Sequence, residues 1–204
     1  MRKDSSNYTS PGFNFNDKST TTKSSGSCNC IEVIETNEGC ATITFEGGGN
    51  RCPIPNVNVG FTVVKFPEWL TCIDAESGGT GNFANEPSPS TIAFWSPRCN
   101  DALCRDIIFC EPVCKVHLFY ASFVNVTLSA YNENNELLGT VSGNANWNQG
   151  PGGDPCGCFN KWDPLCLTFD CNVIKRIRIC GRANQTLIDN LTICICCRGL
   201  VINN

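Results

Sequence analysis

Seventeen cysteines and one histidine, His117, are the residues of this chain best equipped for chemistry. Cysteine supports three kinds: nucleophilic catalysis, metal ligation and disulfide formation. Catalysis is the weakest reading, because a thiol at its ordinary pKa needs a base beside it, and a lone histidine in a strand-like run (KVHLFYASF) more often packs than serves. Structural zinc sites use paired Cys-x2-Cys knuckles. Here the close spacings are Cys28-x-Cys30, Cys156-x-Cys158, Cys194-x-Cys196, Cys110-x3-Cys114 and the vicinal Cys196-Cys197, and the single Cys-x2-Cys, Cys194 to Cys197, has no second knuckle to pair with. Disulfides fit best, since one cysteine in every twelve residues is the density of a scaffold made for oxidising surroundings.

Small domains use such staples because their cores are thin. A chain of 204 residues can bury a core, so its cysteines point to durability or to bonds between chains. The count is odd, and a fully oxidised chain therefore leaves one cysteine for an intermolecular partner. Cys28, Cys30, Cys196 and Cys197 are the candidates, because they lie toward the chain ends where reach is greatest.

Other chemistries find little support. There is no Gly-x-Ser-x-Gly, phosphate loop or His-Glu-x-x-His, and nothing in the spacing of Glu46, Asp74, Glu76 and Asp189 selects an acid–base pair. The chain is read as a non-enzyme. A net charge of −4 gives no reason to expect nucleic acid as a partner. No apolar run reaches membrane-spanning length. The N-terminal MRKDSSNYTSPGFNFNDKSTTTKSSGS has no apolar stretch of the secretory kind. A disulfide-rich chain of this sort is expected outside the cell or on a spore surface, released when the mother cell lyses.

The elements that must position these cysteines are strands. No long stretch shows an apolar stripe at helical spacing, whereas short runs with period-two alternation recur between Gly-, Asn- and Pro-rich turns. They are ATITFE (41–46), VGFTVVKF (59–66), TIAFW (91–95), DIIFC (106–110), VHLFYASFVNVTLSAY (116–131), ELLGTVSG (136–143), LCLTFD (165–170), VIKRIRIC (173–180) and LIDNLTICIC (187–196). Val124, Val126, Leu128 and Ala130 share one face against Asn125, Thr127, Ser129 and Tyr131, and Asn132–Asn135 reads as the turn of a hairpin. In the last run Leu191, Ile193 and Ile195 are expected inside, with Cys194 and Cys196 outside. Arg176 and Arg178 read as a solvated face that discourages edge pairing. Residues 1–39 are expected to be a flexible N-terminal arm or connector, carrying Tyr8, Phe13 and Phe15 for docking on a neighbour. Residues 40–197 are expected to form one β-sandwich, and 198–204 a short tail.

The succession ITFEGG, a GTG loop, TIAFWSP, LFYASFVNVTLSAYNENNELLGT and VIKRIRICGRANQTLIDNLTI resembles the jelly-roll, galactose-binding-like domain of exported bacterial proteins such as those of the PEP-CTERM type. The cysteine usage and the polar arm ending in Cys-x-Cys are similar in style to subunits of the spore coat, exosporium and endospore appendages. The resemblance implies an all-β jelly-roll β-sandwich with a flexible N-terminal arm. It also implies a structural, self-assembling subunit, a homopolymer joined through the arm, with other surface proteins or glycans as further partners. No organic cofactor is expected. A structural calcium is the one ion implied, held by Glu46 and Asp189 on the first and last strands. The alternative is a glycan-binding module using Trp147 and Trp162 in a Gly- and Asn-rich loop, with Trp69 and Trp95 in the core.

Overall fold

The computed structural model describes residues 30–36, 39–96, 103–147 and 159–196, and these are all-β. The strands are β1 (Val33–Glu35), β2 (Cys40–Ile43), β3 (Val57–Asn58), β4 (Val63–Lys65), β5 (Trp69–Ile73), β6 (Thr91–Trp95) and β7 (Cys104–Val113). They continue with β8 (Lys115–Ser122), β9 (Val126–Tyr131), β10 (Leu137–Gly143), β11 (Asp163–Thr168), β12 (Ile174–Cys180) and β13 (Thr186–Cys194). Two sheets face each other as a sandwich, in keeping with the expected fold class. One is ordered β10-β9-β12-β7-β4-β3. The other is organised around β13, with β8 and then β11 on one side and both β2-β1 and β6-β5 on the other. Among the described residues no helix is long and apolar enough to cross a membrane.

Alternation puts the core between the sheets, as the pattern of β9 predicts: Val126, Leu128 and Ala130 are fully buried. Leu191 and Ile193 are buried from β13. Trp69 and Trp95 lie inside, stacked edge to face with centroids 5.1 Å apart. The Trp69 indole N–H donates to the Asp106 carbonyl at 2.9 Å, so the one polar atom of that ring is satisfied.

Four expectations are corrected. The sheet begins at β1, inside the segment read as connector, because Val33–Glu35 finds an antiparallel partner in Ala41–Ile43. The long run 116–131 is two strands in different sheets. The chain corners where the Val124 N–H donates to the Ser122 hydroxyl. A strand missed altogether, β5, pairs with β6 along Trp69–Ile73. Finally, β12 is an interior strand between β7 and β9, so its arginines guard no edge. Arg178 instead makes two hydrogen bonds to Asp106, at 2.7 and 3.0 Å, Arg176 a third at 3.0 Å, and Arg176 lies over the Tyr131 ring. Burial opposes ionisation of Asp106, but the Arg178 hydrogen bonds and the two guanidinium charges outweigh it and hold the carboxyl below its usual range.

Candidate functional site

Sheet topology decides which cysteines meet. Cys40 and Cys194 are register partners on β2 and β13 and are bonded. Cys104 and Cys180 stand in the same relation on β7 and β12. Cys114, between β7 and β8, bonds Cys196 just past β13. Cys52 is oxidised as well. Cys196 was expected to bond another chain, and the structure corrects this. Its amide N–H donates to the Asn172 side chain at 2.8 Å, which seats it beside Cys114 and spends it within the chain.

Among the described residues Cys30, Cys72, Cys110, Cys166 and Cys171 are free. Cys72 is buried and burial pushes its thiol up to about 11, so it is inert at neutral pH. Cys30, Cys166 and Cys171 are exposed. Cys30 is the one expected candidate found accessible; Cys28 and Cys197 lie outside the described residues. Cys166 and Cys171 were not singled out by sequence, and no local signal distinguishes them from the paired cysteines.

Two of the exposed thiols, Cys30 and Cys171, lie toward opposite ends of β2. The Cys30 backbone packs on Gly47, beyond the end of β2. Cys171 lies in the turn between β11 and β12, and that turn packs against the opposite end. There Phe169 N–H donates to the Cys114 carbonyl, and Cys114 N–H to the Cys194 carbonyl, beside the Cys40–Cys194 bridge. From Cys40 to Ile43 the strand rises about 10 Å before the chain turns through left-handed Phe45 and Gly47. Cys30 and Cys171 therefore mark opposite poles of the sandwich.

A second locus is a carboxylate seam. Midway along β13 the neighbour changes from β6 to β2, and the strand shifts register between Asp189 and Thr192. Asn190 takes a left-handed φ of 48°, which asparagine tolerates better than most residues. The loop 86–90 closes the gap. Asp189 is fully buried and accepts from the Ser88 and Asn190 amides at 2.7 Å each. Glu46 accepts from the Thr91 amide at 2.8 Å and from the Ser90 and Thr91 hydroxyls at 3.2 Å. Burial, reinforced by the charges of Glu46 and Glu86, drives the Asp189 carboxyl up to about 7 against the donors that favour ionisation. Burial likewise raises Glu46.

The expected calcium ligands are thus brought to one seam. Their charge fits a divalent cation. No three His, Cys, Asp or Glu side chains converge as a metal site among the described residues, so carbonyl, hydroxyl or water oxygens would have to complete the six to eight that calcium takes.

Trp147 and Trp162 both pack, half-buried, against a second apolar cluster on the outer face of the β13-centred sheet, built from residues such as Phe83, Phe94 and Phe159. Trp147 meets the Phe123 ring edge-on, and the Trp162 indole donates to the Ala84 carbonyl at 3.1 Å. Much of each ring is therefore committed to the fold.

No family model matches this chain, and none of the curated proteins does. Among solved structures it is similar to the K2 cleaved adhesin domain of Lys-gingipain, at 12% identity and a TM-score of 0.46, covering 76% of this chain and 97% of that one. The K1 cleaved adhesin domain of Lys-gingipain from Porphyromonas gingivalis W83 overlaps 66% of this chain and 98% of its own, at 12% identity and a TM-score of 0.36. TmCBM61, solved in complex with beta-1,4-galactotriose, overlaps 65% and 86%, again at 12% identity and 0.36. Nothing about the ligand of this chain follows from these partial overlaps.

Proposed function

We propose that this chain is a structural subunit of an extracellular or spore-surface layer or fibre, with copies joined by disulfides. One observation carries the reading: exposed, unpaired Cys30 and Cys171 stand at opposite poles of a sandwich already stapled by three intrachain bonds. The intrachain bonds belong to an oxidising environment. A thiol at each end makes a head-to-tail contact, and such heterologous contacts extend into filaments unless the rotation closes a ring. Two thiols meeting across that contact give two protons and two electrons to an oxidant such as oxygen and become a covalent link. The catalytic machinery of an enzyme has no part in this reading.

Native protein run without reductant should give a ladder that collapses to one band on reduction. Cys30→Ser with Cys171→Ser should leave mostly monomer. A full ladder from the double variant would overturn the assignment of the poles. A structural calcium between Glu46 and Asp189 belongs to the same proposal, as an ion that would replace the proton the seam otherwise requires.

The second reading, a glycan-binding module, draws on the two half-exposed indoles gathered on one cluster. Glycan-array binding lost on Trp147→Ala and Trp162→Ala, in a protein that stays monomeric, would favour it.

A further inference from the structure

Strand registers on the β13-centred sheet line up one row of residues across four contacts. Ile34 faces Thr42, Thr42 faces Thr192, Thr192 faces His117, and His117 faces Cys166. The row lies on the outer face. The inward neighbours Ile43, Ile193, Val116 and Leu165 are buried, while Cys166 is exposed and His117 half-buried. The Thr42 and Thr192 hydroxyls hydrogen-bond each other at 2.7 Å, so the middle of the row needs no further partner. At its edge, where β11 pairs only with β8 among the described residues, His117 of β8, the only histidine of the chain, stands directly across from the free thiol of Cys166 on β11.

We infer that Cys166 and His117 form a thiol–disulfide exchange site, with Cys166 as the nucleophile and His117 as the acceptor of its proton. The ligand class is an accessible disulfide, from a small molecule of the glutathione kind or from a second copy of this chain.

Directly opposed residues of an antiparallel pair have their Cβ atoms about 5 Å apart, within reach of a thiol–imidazole contact after a side-chain rotation. In the resting arrangement the Cys166 Sγ instead contacts the Thr168 hydroxyl at 3.6 Å. Lys115 lies two residues before His117 on the same face, faces Thr168, and is diagonal to Cys166. From the β13 side the groups facing this corner are Thr192, opposite His117, and Cys194, opposite Lys115 and already oxidised, so no carboxylate opposes the thiolate there. Burial, and then the charge of Lys115, lower the His117 pKa and keep its ring neutral at neutral pH, able to accept a proton.

In the step, the Cys166 proton passes to His117 and the sulfur attacks one sulfur of the incoming disulfide. A Cys166–sulfur bond forms and the original sulfur–sulfur bond breaks. The departing thiolate takes the proton from His117, so electrons balance with no further oxidant. This site lies two residues along the strands from the Cys40–Cys194 bridge, nearer the Cys171 end, and does not depend on the cross-links proposed at the poles.

The test uses full-length protein carrying Cys30→Ser and Cys171→Ser, so that polar cross-linking cannot mask the result. It is exposed to oxidised glutathione or left without it, and adducts are mapped by peptide mass. Cys166 should acquire the glutathione adduct at least ~10-fold faster than Cys110, and His117→Gln should slow it by a similar factor, below the ~100-fold a well-placed general base often contributes. A Cys166-linked dimer in the arm without glutathione identifies the second copy as the source. Labelling of Cys166 no faster than Cys110, or a rate unchanged by His117→Gln, would overturn the inference.

Discussion

Replacing Cys40 and Cys194 together by alanine should remove about 2–5 kcal/mol of stability, the largest loss expected among the three bridges between described residues. The bridge closes a separation of 154 residues, against 76 for Cys104–Cys180 and 82 for Cys114–Cys196, so its loss frees the most chain in the unfolded ensemble. It also ties β2 to β13 at the end where Cys171 sits and where Cys114 bonds Cys196. Chemical denaturation of the double variant, compared with the Cys104–Cys180 pair variant, checks the ranking. Equal losses would mean that unfolded-state entropy does not set the order, and a loss below about 1 kcal/mol would mean that the bridge is absent from the native protein.

Acidification from about pH 8 to pH 5 in EDTA should stabilise the protein, against the usual behaviour of carboxylates. Asp189 is raised from 3.8 to about 7 by burial first and then by Glu46 and Glu86. A group whose folded pKa is raised contributes stability fully present below its unfolded pKa and lost as pH rises through the folded value. The window runs from about pH 4 to pH 7, and at ~1.4 kcal/mol per unit its upper bound is about 4 kcal/mol. Glu46 acts in the same direction. His117 opposes it, because burial and Lys115 lower its pKa and make protonating it cost stability on acidification. The difference between wild type and Asp189→Asn cancels that contribution. The carboxamide introduced by Asp189→Asn keeps one acceptor oxygen and one of the two amide bonds, so the variant should fold with a flatter pH profile. Calcium at pH 8 should raise the melting temperature of the wild type and leave Asp189→Asn unmoved if the ion belongs to the seam. A wild-type profile parallel to that of Asp189→Asn would show that the carboxyl ionises normally in the fold.

Much of the architecture could be read from local pattern. The alternation of Val126, Leu128 and Ala130 marks a half-buried strand, and the Asn132–Asn135 turn returns it to β10. Leu191 and Ile193 point inward for the same reason of period two. Trp69 and Trp95 are core, as their apolar surroundings indicate. The failures share one physical origin: they depend on which strands become neighbours. Cys196 looks like a reaching terminal cysteine until β13 places it beside Cys114. Val33–Glu35 is too short to declare itself without β2 alongside. Cys171 has no distinctive local sequence, and its value lies in standing at the far pole from Cys30. The opposition of His117 and Cys166 is a matter of register between strands that meet only in the fold. The resemblance places Glu46 and Asp189 together, and the seam gives the physical reason: where β13 changes partners, buried Asp189 caps the Ser88 and Asn190 amides, and half-buried Glu46 caps Thr91 at the start of β6.

The most direct measurement is a non-reducing peptide mass map of native assemblies grown from mixed nitrogen-14 and nitrogen-15 labelled copies. Cross-links at Cys30 and Cys171 should carry both isotopes, while Cys40–Cys194, Cys104–Cys180 and Cys114–Cys196 should each carry only one. Cys30 and Cys171 recovered as unmodified thiols from particles of monomer mass would contradict the account.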